Sequence, residues 1–160
     1  MDSIETLAAN GDPTAQFALG LMHLNGHGRQ VIRAGVQSIE KSENEAKKWF
    51  LASAEGGCVW AMYDYACLCP YGEERELWTH RAANCGLADA QVALSYFYCD
   101  VSHGVKPLNV VEAYKWALLA ASQNHPCVVE TNWFGILEHR MTQQQIVEAK
   151  GRADHFSPDE

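Results

Sequence analysis

The stretch Trp78 to Leu94, WTHRAANCGLADAQVAL, constrains the fold of this chain more than any other. It reads as the end of one helix, closed by two alanines and a glycine, then a short turn, then a second helix whose Ala90 and Leu94 start an apolar face. The pattern recurs upstream as Trp49, Ala54, Gly57, Ala61 and Tyr65, and downstream as Trp116, Ala121 and Asn124. At the start of the chain Ala8, Ala9, Asn10 and Gly11 precede Asp12, Ala15 and Leu19 in the same order. Units that repeat every roughly 30 to 45 residues cannot bury their apolar faces singly, so they stack into a solenoid. The expected fold class is therefore all-α.

Start and stop signals divide the chain into helices. Ser3 caps a short helix over residues 3–9, and Asp12 caps a second that Pro13 opens and that runs to about Asn25. Ser42 with Glu45 predicts a capping box and a helix to Glu55, ended by Gly56 and Gly57. Residues 59–69 and 73–84 form the next pair around the turn Pro70-Tyr71-Gly72. Residues 89–99 and 110–123 form a third, with Asn109 and Glu112 at the second start. Pro126 opens one helix to about His139, and Thr142 with Gln145 predicts a capping box for the last, through about Phe156. The resulting units are a first repeat over 8–57 with a long loop at 26–41, a short second over 57–86, a third over 86–124 and a terminal pair over 125–157.

At 160 residues, 48% apolar and 20% charged, the chain is expected to form one folded unit with a real core. A net charge of −8 argues against a nonspecific grip on nucleic acid or on anionic lipid, since both need a basic face. The start, MDSIETLAANGD, lacks a basic region followed by an apolar one, and no apolar run approaches a membrane span. The expectation is a cytoplasmic protein whose six cysteines are reduced thiols.

Chemistry-bearing combinations are sparse. His23 and His27 have the spacing of two ligands on a helix, but Gly26 and Gly28 interrupt it and no third ligand is in view. Cys67, Cys69, Cys99 and His103 stand near the ends of equivalent helices, which makes a zinc site geometrically conceivable. The competing reading is that cysteine serves as a small core residue. No nucleophile elbow, phosphate loop or dinucleotide fingerprint is present. No cofactor, no metal and no enzymatic activity are expected. Glu73, Glu74 and Glu76 suit the first turn of a helix, where they complement its dipole.

The motif A-x-x-G-D-x-x-A-Q-x-x-L-G-x-x-x-x-x-G-x-G runs from Ala8 or Ala9 through Gly11, Asp12, Ala15, Gln16, Leu19, Gly20, Gly26 and Gly28. A second, A-x-x-W-x-x-x-A-A-x-x-G, covers Ala46 to Gly57 and Ala113 to Asn124, with Asn124 in place of glycine. On these motifs the chain resembles the Sel-one-like repeat family, a branch of the tetratricopeptide superfamily. The resemblance implies a right-handed α-solenoid of antiparallel helix pairs that serves as a protein interaction scaffold or adaptor rather than a catalyst. An inhibitor or immunity protein that blocks a toxin or hydrolase is the alternative. Departures include Arg75 for an alanine, and Ala66 and Ser95 at the position of Gly20. Some secreted members clamp each turn with a cysteine pair. The corresponding positions here hold Glu55 and Met62, then Asn84 and Gln91.

In tetratricopeptide-like arrays the first helix of each pair lines a concave groove. Transferred to this chain, that geometry selects Thr14, Phe17 and Leu21, then Trp60, Tyr63 and Cys67, then Asp89, Val92 and Tyr96, with Glu130 from the last pair. Asp64, Asp89 and Glu130 would favour a basic protein or peptide partner. Two readings stay open beside this one. Trp60 and Tyr63 could instead fill a narrow superhelix, and the loop around Arg29 and Arg33 could instead be the interaction site.

Overall fold

The computed structural model describes residues 3–26, 41–99 and 108–159. Within them the chain forms ten helices, and the fold is the expected all-α repeat of antiparallel helix pairs. The order is α1 (Ile4–Ala9), α2 (Pro13–Asn25), α3 (Glu43–Glu55), α4 (Val59–Leu68), α5 (Glu73–Asn84), α6 (Ala88–Cys99), α7 (Val110–Ser122), α8 (Pro126–Val129), α9 (Trp133–Glu138) and α10 (Gln143–Asp154). They divide into two compact units, Met1–Pro70 and Tyr71–Glu160.

The repeat is written most plainly in its turns. Gly11, Gly57, Gly86 and Asn124 all have positive φ, at 90°, 92°, 89° and 58°. Each donates its N–H to the carbonyl of an alanine three residues back, Ala8, Ala54, Ala83 and Ala121 respectively. The residue after each turn (Asp12, Cys58, Leu87 and His125) donates to the carbonyl five residues back. These paired bonds satisfy carbonyls that a helix end leaves orphaned, and the geometry demands a left-handed residue. Asparagine is the non-glycine residue best able to adopt it, so Asn124 keeps the turn without a glycine.

In the first unit α2 packs on α1 and α3, and α3 packs on α4. Ala8, Ala15 and Leu19 are buried together, with Ile4, Met22 and Trp49 against them. Gly20 is small because Phe50 fills its place: a Cβ there would lie 2.4 Å from two Phe50 ring carbons. Ser53 Oγ donates to the Pro13 carbonyl at 2.6 Å, tying α3 to the first turn of α2.

In the second unit α5 packs on α6, α6 on α7, and α7 on α10. The core combines Val92, Cys99, Val111, Tyr114, Val128, Leu137 and four alanines. Trp78 and Trp116 are buried at 7% and 2% exposure and Ala83 at 0%, so the recurring tryptophans are packing residues in this unit. Beyond α10 the chain folds back. Phe156 stands edge-on to Trp116 at 5.7 Å, and the Asp159 N–H donates to the Asn84 carbonyl at 2.8 Å.

Most cap signals hold. Ser3, Asp12 and Asn109 accept the N–H groups of Thr6, Ala15 and Glu112, and Thr142 with Gln145 makes both bonds of a capping box. Two expectations need correction. Ser42 accepts the Glu45 N–H at 3.3 Å, but the Glu45 carboxylate turns to Lys48 at 2.6 Å instead of closing the box. The single helix expected from Pro126 to His139 is two, α8 and α9, separated by Glu130, Thr131 and Asn132. The Thr131 hydroxyl donates to the Cys127 carbonyl at 2.7 Å, and this side-chain bond takes an acceptor at the break.

Candidate protein-interaction site

The ten residues expected to line a groove fall into both units, and each group is described by itself. In the first unit Thr14 is exposed and Leu21 half-buried on α2. The Phe17 ring rests 5.7 Å from Phe50, so most of it is committed to packing. On α4 Trp60 is 59% exposed, Cys67 is exposed and Tyr63 half-buried. An exposed tryptophan is the costliest apolar residue to leave in water, and it stands beside buried Ala61 on the same helix.

In the second unit Asp89, Val92 and Tyr96 lie three and four residues apart on α6 and share one face by helical geometry. Val92 belongs to the core at 8% exposure, whereas Tyr96 remains 41% exposed and Asp89 is exposed. The terminal pair covers this face partly. His125 Nδ1 accepts the Cys127 N–H, which leaves Nε2 as the proton-bearing nitrogen facing Asp89 Oδ1 at 3.3 Å. Burial, and after it the nearby Cys127, push the Tyr96 phenol above its ordinary range. Glu130 is the exposed C-cap residue of α8.

The break after α8 brings in a residue that the sequence reading did not select. Trp133 opens α9, and its ring centroid lies 4.3 Å from that of Tyr96. Its Nε1–H donates to Ser95 Oγ at 2.8 Å, and Ser95 Oγ donates in turn to the Ala113 carbonyl at 2.7 Å. Ser95 takes the position that Gly20 holds in the first repeat, so its hydroxyl replaces close packing with a hydrogen-bonded junction. The signal for the missed residue was Thr131-Asn132, two residues that favour helix starts, placed just before Trp133.

The remaining polar chemistry serves the fold. A cleft of about 530 Å³ on α3 and α4 is lined by Lys47, Lys48, Glu45 and Tyr65 among others, but Lys48 pairs with Glu45 and Lys47 lies over the Tyr65 ring. Among the described residues no group of three or more His, Cys, Asp or Glu side chains is placed to hold a metal. His27, His103, Arg29 and Arg33 lie outside the described residues. Cys58, Cys85, Cys99 and Cys127 are free thiols. No described helix is long and apolar enough to cross a membrane.

Comparison with known proteins agrees with this architecture. The family model of the Sel1 repeat matches residues 13–58 and 88–125, together more than half of the chain. Among solved structures, a Sel1 repeat protein from Oxalobacter formigenes is 25% identical with a TM-score of 0.60, over 94% of each chain. A protective antigen of uropathogenic Escherichia coli strains that displays an SLR fold is 20% identical with a TM-score of 0.50. That match covers 96% of this chain and 39% of the other, and shows likeness of fold. No curated protein matches the chain. With the family model matching more than half of its length, the chain belongs to the Sel1 repeat family, whose helical arrays are typically non-catalytic scaffolds for protein interaction.

Proposed function

We propose that the chain is an adaptor that binds a protein or peptide through the first-helix faces of its repeats, with Trp60 and Tyr63 on α4 and Asp89 and Tyr96 on α6 as principal contacts. The observation that carries this reading is the exposure of large aromatics on those helices, with Trp60 at 59% and Tyr96 at 41%. Tryptophan and tyrosine supply a large contact area at low entropic cost, which is why they dominate binding hot spots. Asp89, Glu130 and a net charge of −8 favour a basic partner.

The test is quantitative capture of partners from the native host by the full chain, repeated with Trp60→Ala and Tyr63→Ala. Both variants are expected to weaken binding by about 2 kcal/mol or more while their thermal unfolding stays cooperative. Normal binding by both, with loss on substituting Arg29 and Arg33, would move the site to residues 26–41. A captured enzyme that loses turnover on binding would place the chain among inhibitors.

A further inference from the structure

Each cation near a ring in the described part of the second unit is already engaged. Arg75 lies 4.3 Å from the centroid of Tyr71, Arg81 lies 4.5 Å from Trp78, and Lys115 lies 4.0 Å from Trp116. The pair of exposed Tyr96 and half-buried Trp133 differs: among the described residues no lysine or arginine lies over either ring. Two acidic residues stand near the pair along the chain, while Arg140 is engaged by Cys99 Sγ, one turn along α6 from Tyr96, at 3.5 Å. Asp89 stands two turns before Tyr96 on the same helix, and Glu130 stands at the end of α8, whose Cys127 neighbours Tyr96.

Glu130 has no role in the fold that would account for it. Among the described residues its carboxylate has no ion-pair or hydrogen-bond partner, and α8, at four residues, ends before it. The rings, by contrast, are held in place. Trp133 is fixed through Ser95 to the Ala113 carbonyl, and Tyr96 packs on Trp133 at 4.3 Å with the rings 48° apart. A rigid aromatic surface with an unneutralised carboxylate three residues before Trp133 has the composition that recognises a cation, and its rigidity lowers the ordering cost of binding.

We infer that the Tyr96–Trp133 pair is the capture point for one arginine side chain of a basic protein segment, the guanidinium lying on the rings and pairing with Glu130. The inference rests on the adaptor reading and specifies its partner. Arginine fits better than lysine because its planar guanidinium stacks on an aromatic face while its N–H groups remain free for a carboxylate. Asp89, already facing His125, contributes its charge to the approach of the segment rather than a dedicated bond.

The test begins with selection of a displayed library of random peptides on the full chain. An enriched peptide is then titrated calorimetrically against the chain and against Tyr96→Leu and Glu130→Gln, and its arginine is replaced by the neutral isostere citrulline. Tyr96→Leu removes the ring at an exposed position and leaves the Trp133 bond to Ser95 in place, so it is expected to fold. The expected result is arginine at one fixed position, with at least tenfold weaker binding on citrulline replacement and on Tyr96→Leu, and a several-fold loss for Glu130→Gln. Enriched peptides that have no fixed arginine, that accept lysine equally, or that ignore Tyr96→Leu would overturn the arginine site and leave the adaptor reading standing. Failure of any peptide to enrich would overturn both.

Discussion

Gln91 reaches back over the turn that precedes its helix, its Nε2 donating to the Ala83 carbonyl at 3.3 Å; Gln16 does the same to Ala8 at 3.1 Å. Both amides are buried against the end of the previous helix, at 1% and 9% exposure. The bond fixes the angle at which one helix leaves the turn and the next enters. Gln91 is further anchored because its Oε1 accepts from Gln123 Nε2 at 3.0 Å. At the equivalent place in the short second repeat stands Met62, which fills similar volume and cannot make the bond.

Met62 suggests how to separate the two contributions at Gln91. Gln91→Met keeps the volume and removes two hydrogen bonds, at an expected cost of about 1–2 kcal/mol, because the Ala83 carbonyl still accepts from Gly86 and the Gln123 amide still donates to the Gly86 carbonyl. Gln91→Ala adds a cavity in a fully buried site and is expected to cost about 3 kcal/mol. Urea denaturation of the full chain measures both. Equal losses would contradict this division between hydrogen bonding and packing.

Gly20 is the second pressure point. Phe50 is fully buried and cannot swing away from an added methyl. Gly20→Ala is therefore expected to destabilise by about 1–3 kcal/mol, although alanine ordinarily favours a helix over glycine by about 1 kcal/mol. Adding Phe50→Leu should recover part of that loss, since the leucine is smaller at the point of contact. A Gly20→Ala chain more stable than the parent would show that the α2–α3 contact is looser than the 2.4 Å approach implies.

How far the sequence carried depends on the range of the interaction involved. Helix ends and turns are set by neighbours within about five residues, so Asp12, Pro13, Gly57, Gly86 and the Thr142 box were legible. The recurrence of Trp78 and Trp116 marked core positions for another reason, because stacked repeats bury the same face of each unit. The split between α8 and α9 was not legible from apolar spacing, because Val128 and Leu137 both lie in the core on either side of it. Trp133 was missed with it, since its bond to Ser95 joins residues far apart in sequence. Helical spacing puts Val92 on one face with Asp89 and Tyr96 and so predicts a groove position for it. Its burial depends on the terminal helices, which helical spacing on α6 alone does not report.

Tyr114 gives a pH-dependent prediction. Burial, and then its hydrogen bond to Glu138 Oε1 at 2.6 Å, push its phenol from the ordinary value near 10 to about 12. The folded state thus holds the proton more tightly than the unfolded one, and the stabilisation is present in full below about pH 10 and lost as the pH rises toward 12. The stability advantage of the chain over Tyr114→Phe should therefore shrink across that interval. Denaturation of both proteins at pH 9 and above measures it, and a constant difference would show that Tyr114 ionises alike in both states.

The last prediction concerns the segment after α10, which is held by contacts of different kinds. Phe156 meets Trp116 edge-on at 5.7 Å, and the Lys115 ammonium lies 4.0 Å from the Trp116 centroid and 5.9 Å from that of Phe156. Pro158 lies 3.7 Å from where a Gly86 Cβ would stand, and the Asp159 N–H closes on the otherwise orphaned Asn84 carbonyl at the end of α5. Of these, the aromatic contact removes the most apolar surface from water, so the backbone bond depends on it. Phe156→Ala is expected to lower stability by about 1–2 kcal/mol, below the usual cost for a fully buried aromatic because Phe156 is half-buried. It should also release the Asp159 amide to fast hydrogen exchange while the amides of α7 remain protected. Retained protection at Asp159 in that variant would show that the Asn84 bond and the Pro158 contact hold the segment without the ring.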